Sequence, residues 1–220
     1  MRSIRRNSDQ TLRSDIAHAA ARLVAEGEAP DFVGAKRKAA ATLGVANFRN
    51  LPENLEVHEA LMHYLQLFEG EHWVQRIATM RQQARAAMVV LATFRPRLVG
   101  PVLYGSACEY SPVTLHLYTD EIEQVTRFLH DARINYRLTH TNLKISRGRR
   151  EDFPTYLVVN DELDFNLVVF ADVYFAHPPL SSLNGRPFKR ADIDAVDKLI
   201  SDIAVGGSGS SDLRFDTGGP

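Results

Sequence analysis

Residues 99–118 read VGPVLYGSACEYSPVTLHLY, and this stretch decides the fold. Its first part, residues 99–105, is a short apolar run between glycines, the pattern of a buried strand. Its last part, Val113–Tyr118, alternates. Val113, Leu115 and Leu117 fall on one side, and Thr114, His116 and Tyr118 on the other. Successive side chains of a strand point to opposite faces, so a strand with two different environments is predicted. Between the two strands lie Gly105-Ser106 and a short polar connection.

Upstream of this stretch the apolar residues recur every three or four positions, which predicts helices. The first has Ser8 or Asp9 as its cap, a stripe of Leu12, Ile16, Ala19, Ala20, Leu23 and Val24, and Gly27 as its stop. The second covers residues 31–43 and stops at Gly44. The third follows Leu51-Pro52 on Val57, Leu61, Leu65 and Phe68, and stops at Gly70. The fourth carries Trp73, Ile77, Met80, Ala84, Ala87, Met88 and Leu91, with Arg76, Arg81 and Arg85 off the stripe and Pro96 ending it. Downstream, Thr119 caps a helix whose inner stripe is Ile122, Val125, Phe128 and Leu129. Strands follow near residues 136–139, 143–146, 156–160 and 163–170, then a last helix over 190–203. The predicted fold class is α+β: a helical region, residues 1–95, packed on a mixed-sheet core, residues 96–205. Residues 206–220, GGSGSSDLRFDTGGP, carry too little apolar surface to offset their ordering entropy and are expected to be disordered.

Composition bounds the function. Of 220 residues, 45% are hydrophobic and 24% charged, which excludes a wholly disordered, collagen-like or disulfide-scaffold chain. No apolar run approaches the ~18 residues of a membrane span. The N-terminus has basic residues without an apolar stretch behind them, unlike a secretory signal. Cys108 stands alone, so a reducing, cytoplasmic setting is expected and no membrane partner. The net charge is -1, with the first hundred residues at +4 and the rest at -5, so any polyanion contact is expected in the first half. Two basic clusters are candidates for RNA or DNA: Lys36, Arg37 and Lys38 on the second helix, and Arg147, Arg149 and Arg150 in a turn between strands. Each also reads, and more simply, as a solvated helix face or hairpin tip. His58 and His63 are five apart, about 140° around a helix, which does not suit zinc. Cys108, beside Glu109, has no reactive signature.

The order of Gly-Ser turn, alternating strand, helix and further strands resembles the nucleotidyltransferase-fold superfamily, the DNA polymerase beta-like group. AKRKAAATLG, residues 35–44, is similar to the N-terminal part of bacterial proteins that carry such a core. The resemblance implies that Gly105 and Ser106 form the phosphate turn, and that acids on the next strand and on a later one hold two Mg²⁺ ions against a nucleoside triphosphate. In this chain the acid positions fall on Pro112, Thr114 and Asn166; a shift of two puts the third acid on Asp164. With the carboxylates gone, no metal ligand is assigned, and Mg²⁺ is expected only together with a triphosphate. Arg95 and Arg97, flanking Pro96, are candidate phosphate clamps. Three functions stay open: a degenerate nucleotidyltransferase-like protein that binds a nucleotide or phosphate-bearing partner; an active enzyme with an atypical site built on His116 and Asp164; and a protein-interaction module.

Overall fold

The computed structural model describes residues 2–45, 51–159 and 163–205. The tail expected to be disordered, residues 206–220, lies outside the described residues, as does Asn160. The helices are α1 (Arg2–Ala25), α2 (Phe32–Thr42), α3 (Asn54–Phe68), α4 (Gly70–Val90), α5 (Pro101–Tyr104), α6 (Ile122–Asp131), α7 (Val173–Ala176) and α8 (Ile193–Val205). The strands are β1 (Arg97–Val99), β2 (Val113–Tyr118), β3 (Arg137–Ser146), β4 (Arg149–Val158) and β5 (Phe165–Phe170). They form one sheet in the order β1-β2-β5-β4-β3, in which only β2 and β5 run parallel. The α+β class expected from the sequence is what the chain adopts.

Local chemistry sets the helix ends. The Asp31 carboxylate accepts the Gly34 N–H at 2.7 Å and caps α2. Glu56 accepts the Glu53 N–H at 2.6 Å at the start of α3. Gly27 and Gly44, beyond the ends of α1 and α2, take φ of 72° and 70°.

One face of the sheet offers Leu98, Val113, Leu115, Leu117, Leu167 and Val169. They pack with Ile77, Met80, Ala84 and Met88 of α4, Val125 and Leu129 of α6, and Val196 of α8. A second cluster joins Ile16, Ala20 and Ala21 of α1, Ala35 and Ala39 of α2, and Val57, Leu61 and Leu65 of α3. Trp73 packs against both. The helical layer on the sheet therefore begins with α4, inside the segment expected to be the helical region. On the other sheet face, Tyr118, Phe153, Val168 and Phe170 are covered by Tyr174 and Phe175. The chain then crosses this face. Leu180 donates to the Lys144 carbonyl on the β3 edge at 2.6 Å, and Ala191 exchanges hydrogen bonds with Leu98 on the β1 edge at 2.8 and 2.9 Å.

Several local expectations are corrected. Residues 101–104 are helical, not part of a strand: Pro101 opens the turn and Gly105, at φ 78°, closes it. Helix α1 begins at Arg2 and runs through Ser8 and Asp9. Phe68, at the last position of α3, is 67% exposed, and Ile122, in the first turn of α6, is 39% exposed. Residues 137–146 form one continuous strand instead of two.

Arg81 is buried on the inner face of α4. Four residues after Ile77 and three before Ala84, it belongs to the stripe that its charge seemed to exclude. Its guanidinium donates to the carbonyls of Val102 and Leu103 at 3.2 Å each and of Leu199 at 3.4 Å. Burial pushes its pKa down to about 10. Among the described residues no helix is long and apolar enough to cross a membrane.

Candidate functional site

The site expected from the sequence lies where β1, β2 and β5 meet. Thr114 on β2 stands opposite Asn166 on β5, and Val99 on β1 stands opposite Thr114 from the other side. Strand parity puts Val99, Thr114, His116, Tyr118, Asn166, Val168 and Phe170 on one face, away from α4. None of these side chains is a carboxylate. Thr114 and Asn166 are half-buried, and Pro112 lies one residue before β2.

The glycine that follows β1 directly is Gly100, with φ 74°. A Cβ built there would lie 4.0 Å from the Thr114 Cβ, so Gly100 borders the Thr114 face. Gly105 and Ser106, expected as the phosphate turn, sit at the far end of α5. The Gly105 carbonyl accepts the Trp73 indole N–H at 2.8 Å, and a Cβ on Gly105 would meet Arg81 at 3.6 Å. Both contacts are with α4, on the opposite side of the sheet from Thr114. The Gly105 and Ser106 amides both point back to the Pro101 carbonyl, and Ser106 is buried. The polar turn that the sequence advertises is thus the end of a helical turn, with its amides already used.

His116 and Asp164 are not brought together. His116 pairs with Val168, four residues beyond Asp164 along β5, which is roughly 13 Å of strand. His116 is 1% exposed, with its ring 4.6 Å from that of Phe170 and 5.0 Å from that of Phe188. Burial, and secondarily the nearby Arg190, pushes its pKa down to about 3, and its Nδ1 has no hydrogen-bond partner. A neutral imidazole closed off from solvent is a poor proton shuttle at neutral pH. Asp164 is exposed just before β5, where its backbone carbonyl accepts the Val113 N–H at 2.8 Å.

The clamps Arg95 and Arg97 stand at the other end of β2. Arg95 follows the 3₁₀ turn Ala92–Phe94 in the left-handed conformation, φ 47°, and pairs with Asp172. Its Cζ lies 4.7 Å from the centre of the Phe175 ring, and that of Arg97 lies 5.0 Å from it. A third guanidinium joins them. Arg190 has its Cζ 5.6 Å from the same ring; it donates to the Tyr118 hydroxyl at 2.9 Å and to the Phe175 carbonyl at 3.0 Å. Sequence reasoning missed Arg190, because only folding carries it across the sheet to residues about ninety positions earlier.

The basic clusters divide. Lys36 donates to the Pro52 carbonyl at 2.9 Å and to Asn54 Oδ1 at 2.7 Å, and Lys38 pairs with Glu28. Arg149 pairs with Glu151 and Arg150 bonds Asn142 across the β3–β4 hairpin. Arg37 and Arg147 are exposed. Burial lifts the Cys108 thiol to about 11, so it stays protonated at neutral pH. Among the described residues no three His, Cys, Asp or Glu side chains are grouped to hold a metal ion. No family model, curated protein or solved structure matches this chain.

Proposed function

We propose that this chain is a nucleotidyltransferase-like protein that binds a nucleotide or another phosphate-bearing ligand without transferring it. The observation that carries this reading is the neutral sheet face: Thr114 opposite Asn166 on parallel strands, with Gly100 beside Thr114 and no carboxylate on that face of β1, β2 or β5. The helical turn between β1 and β2 and the parallel β2–β5 pair support the family resemblance. Two-metal phosphoryl transfer needs anionic oxygens to replace the tightly held waters of each Mg²⁺, and a threonine hydroxyl and an asparagine carbonyl are weak substitutes.

The test is direct. ATP should raise the melting temperature of the full chain, and the rise should persist in EDTA and shrink as salt increases. Mg²⁺ alone at millimolar concentration should give no shift, and no pyrophosphate should be released from nucleoside triphosphates with Mg²⁺ present. Steady pyrophosphate release that disappears in Asp164→Ala would replace this reading with an active enzyme. Absence of binding by any phosphate compound would favour a protein-interaction module.

A further inference from the structure

We infer that Arg95, Arg97 and Arg190 form a site for a phosphoryl group of two negative charges, held shut in the free protein by Asp172. The inference takes its ligand class from the proposed function and adds where the phosphoryl group sits. The three Cζ atoms all lie within 5.6 Å of the centre of one ring, that of Phe175. Any two of them are therefore within about 11 Å of each other, so their repulsion is only partly screened at physiological salt, where the Debye length is about 8 Å. A fold gathers three guanidiniums at such a point at a cost that a polyvalent anion removes.

The internal counter-charge is small. Asp172 pairs with Arg95, and in that pair the two side chains remain 43% and 48% exposed, so an incoming anion can compete for the guanidinium. Asp120 also lies close, its Oδ1 accepting the Asp172 N–H at 2.9 Å. Among the described residues neither Arg97 nor Arg190 has a carboxylate partner; their bonds go to the Pro96 carbonyl, the Tyr118 hydroxyl and the carbonyls of Tyr174 and Phe175. Tyr118 accepts from Arg190, which leaves the phenolic proton to donate. The place in the fold fits as well. Tyr118 and Phe170 end the two parallel strands, and Asp120 and Asp172 each follow two residues later. The carboxyl ends of parallel strands are where open α/β sheets commonly receive ligands.

Neutral phosphate-contacting groups alone would read shape, whereas this cluster reads charge. The test uses inorganic pyrophosphate titrated into the full chain in EDTA, with sulfate at matched ionic strength as the control. Wild-type protein should bind pyrophosphate, and Arg97→Gln should weaken it at least tenfold with the far-ultraviolet spectrum and melting temperature retained. Arg97→Lys should recover part of the loss. Asp172→Asn should tighten binding three- to tenfold, because the anion no longer displaces a carboxylate; a cluster serving structure alone would give no tightening. Equal pyrophosphate affinity in wild type, Arg97→Gln and Asp172→Asn would overturn this placement while ATP binding kept the proposed function alive. No binding of either pyrophosphate or ATP by wild type would overturn both. Sulfate, with two charges, should bind more weakly than the more highly charged pyrophosphate, and equal affinity would overturn the charge reading.

Discussion

His116 shows how far a residue's chemistry depends on what covers it. On its strand it alternates with leucines, which suggests a polar side chain facing a cleft. The segment after β5 closes over it, and Phe170 and Phe188 take the space that water would fill. His58 is in a similar state, pushed down to about 4 by burial. Both are neutral in the folded chain well below the unfolded value of about 6.5. The unfolded chain therefore takes up protons first as pH falls, and stability is lost from pH 6.5 down toward 4, by up to about 1.4 kcal/mol per pH unit for each histidine. Urea midpoints at pH 7, 6, 5 and 4 should show this slope, and His116→Leu should flatten it. At pH 7 the same substitution should change stability by less than about 1.5 kcal/mol, since the unpaired Nδ1 is removed along with the ring contacts. A large loss at pH 7 would show that His116 holds a partner the packing does not reveal.

At the level of elements, the sequence was most legible where one signal acted alone. The alternation of Val113–Tyr118 gave β2 with its bounds, and the stops at Gly27 and Gly44 gave two helix ends. It was least legible where signals competed. In residues 99–105 an apolar run between glycines reads as a strand, yet Pro101 and Gly105 are also the start and stop residues of a helical turn. At four residues, hydrophobicity cannot separate the two; the turn residues can. The turn at Gly105 sits against α4, and the glycine beside Thr114 is Gly100. Arg81 was misread for a different reason: periodicity put it inside and charge put it outside, and the three carbonyls that reconcile these come from distant segments. That Thr114 and Asn166 stand opposite each other follows the order implied by the resemblance, and parity, a local property, put them on one face, whereas nothing local pointed to Arg190. Gly100 carries the prediction at this scale. At φ 74° and ψ −155° a side chain is strained, so Gly100→Ala should cost roughly 1–3 kcal/mol in urea unfolding. Its methyl group would stand 4.0 Å from the Thr114 Cβ, an ordinary contact, and would take up space beside Thr114 that a ligand on that face would use, weakening ATP binding. A neutral substitution would mean that the turn readily changes conformation.

Across the whole molecule, the two apolar clusters share one residue that is easy to observe. Trp73 is the chain's single tryptophan, and it packs with α1–α3 on one side and with the sheet layer on the other. Its indole N–H also fixes the Gly105 carbonyl. With α4 common to both layers, the helical bundle and the sheet should unfold together. Trp73 fluorescence and the far-ultraviolet signal should trace coincident urea transitions. Two steps in either signal, the first removing part of the helical signal together with part of the Trp73 fluorescence change, would show that α1–α3 unfold separately.

The segment that crosses the sheet from the Lys144 edge to the Leu98 edge has a consequence for cleavage. Residues 184–187 are exposed, yet the chain on either side is held by hydrogen bonds: Leu180 to β3, Ala191 to β1, and the Phe188 N–H to the Pro179 carbonyl at 3.0 Å. A protease that cuts there should leave two fragments that stay together in the native shape. The C-terminal fragment, carrying Arg190 and α8, would remain docked with its guanidinium on Tyr118. The cut chain would run as two bands under denaturing conditions and as one species in native gel filtration.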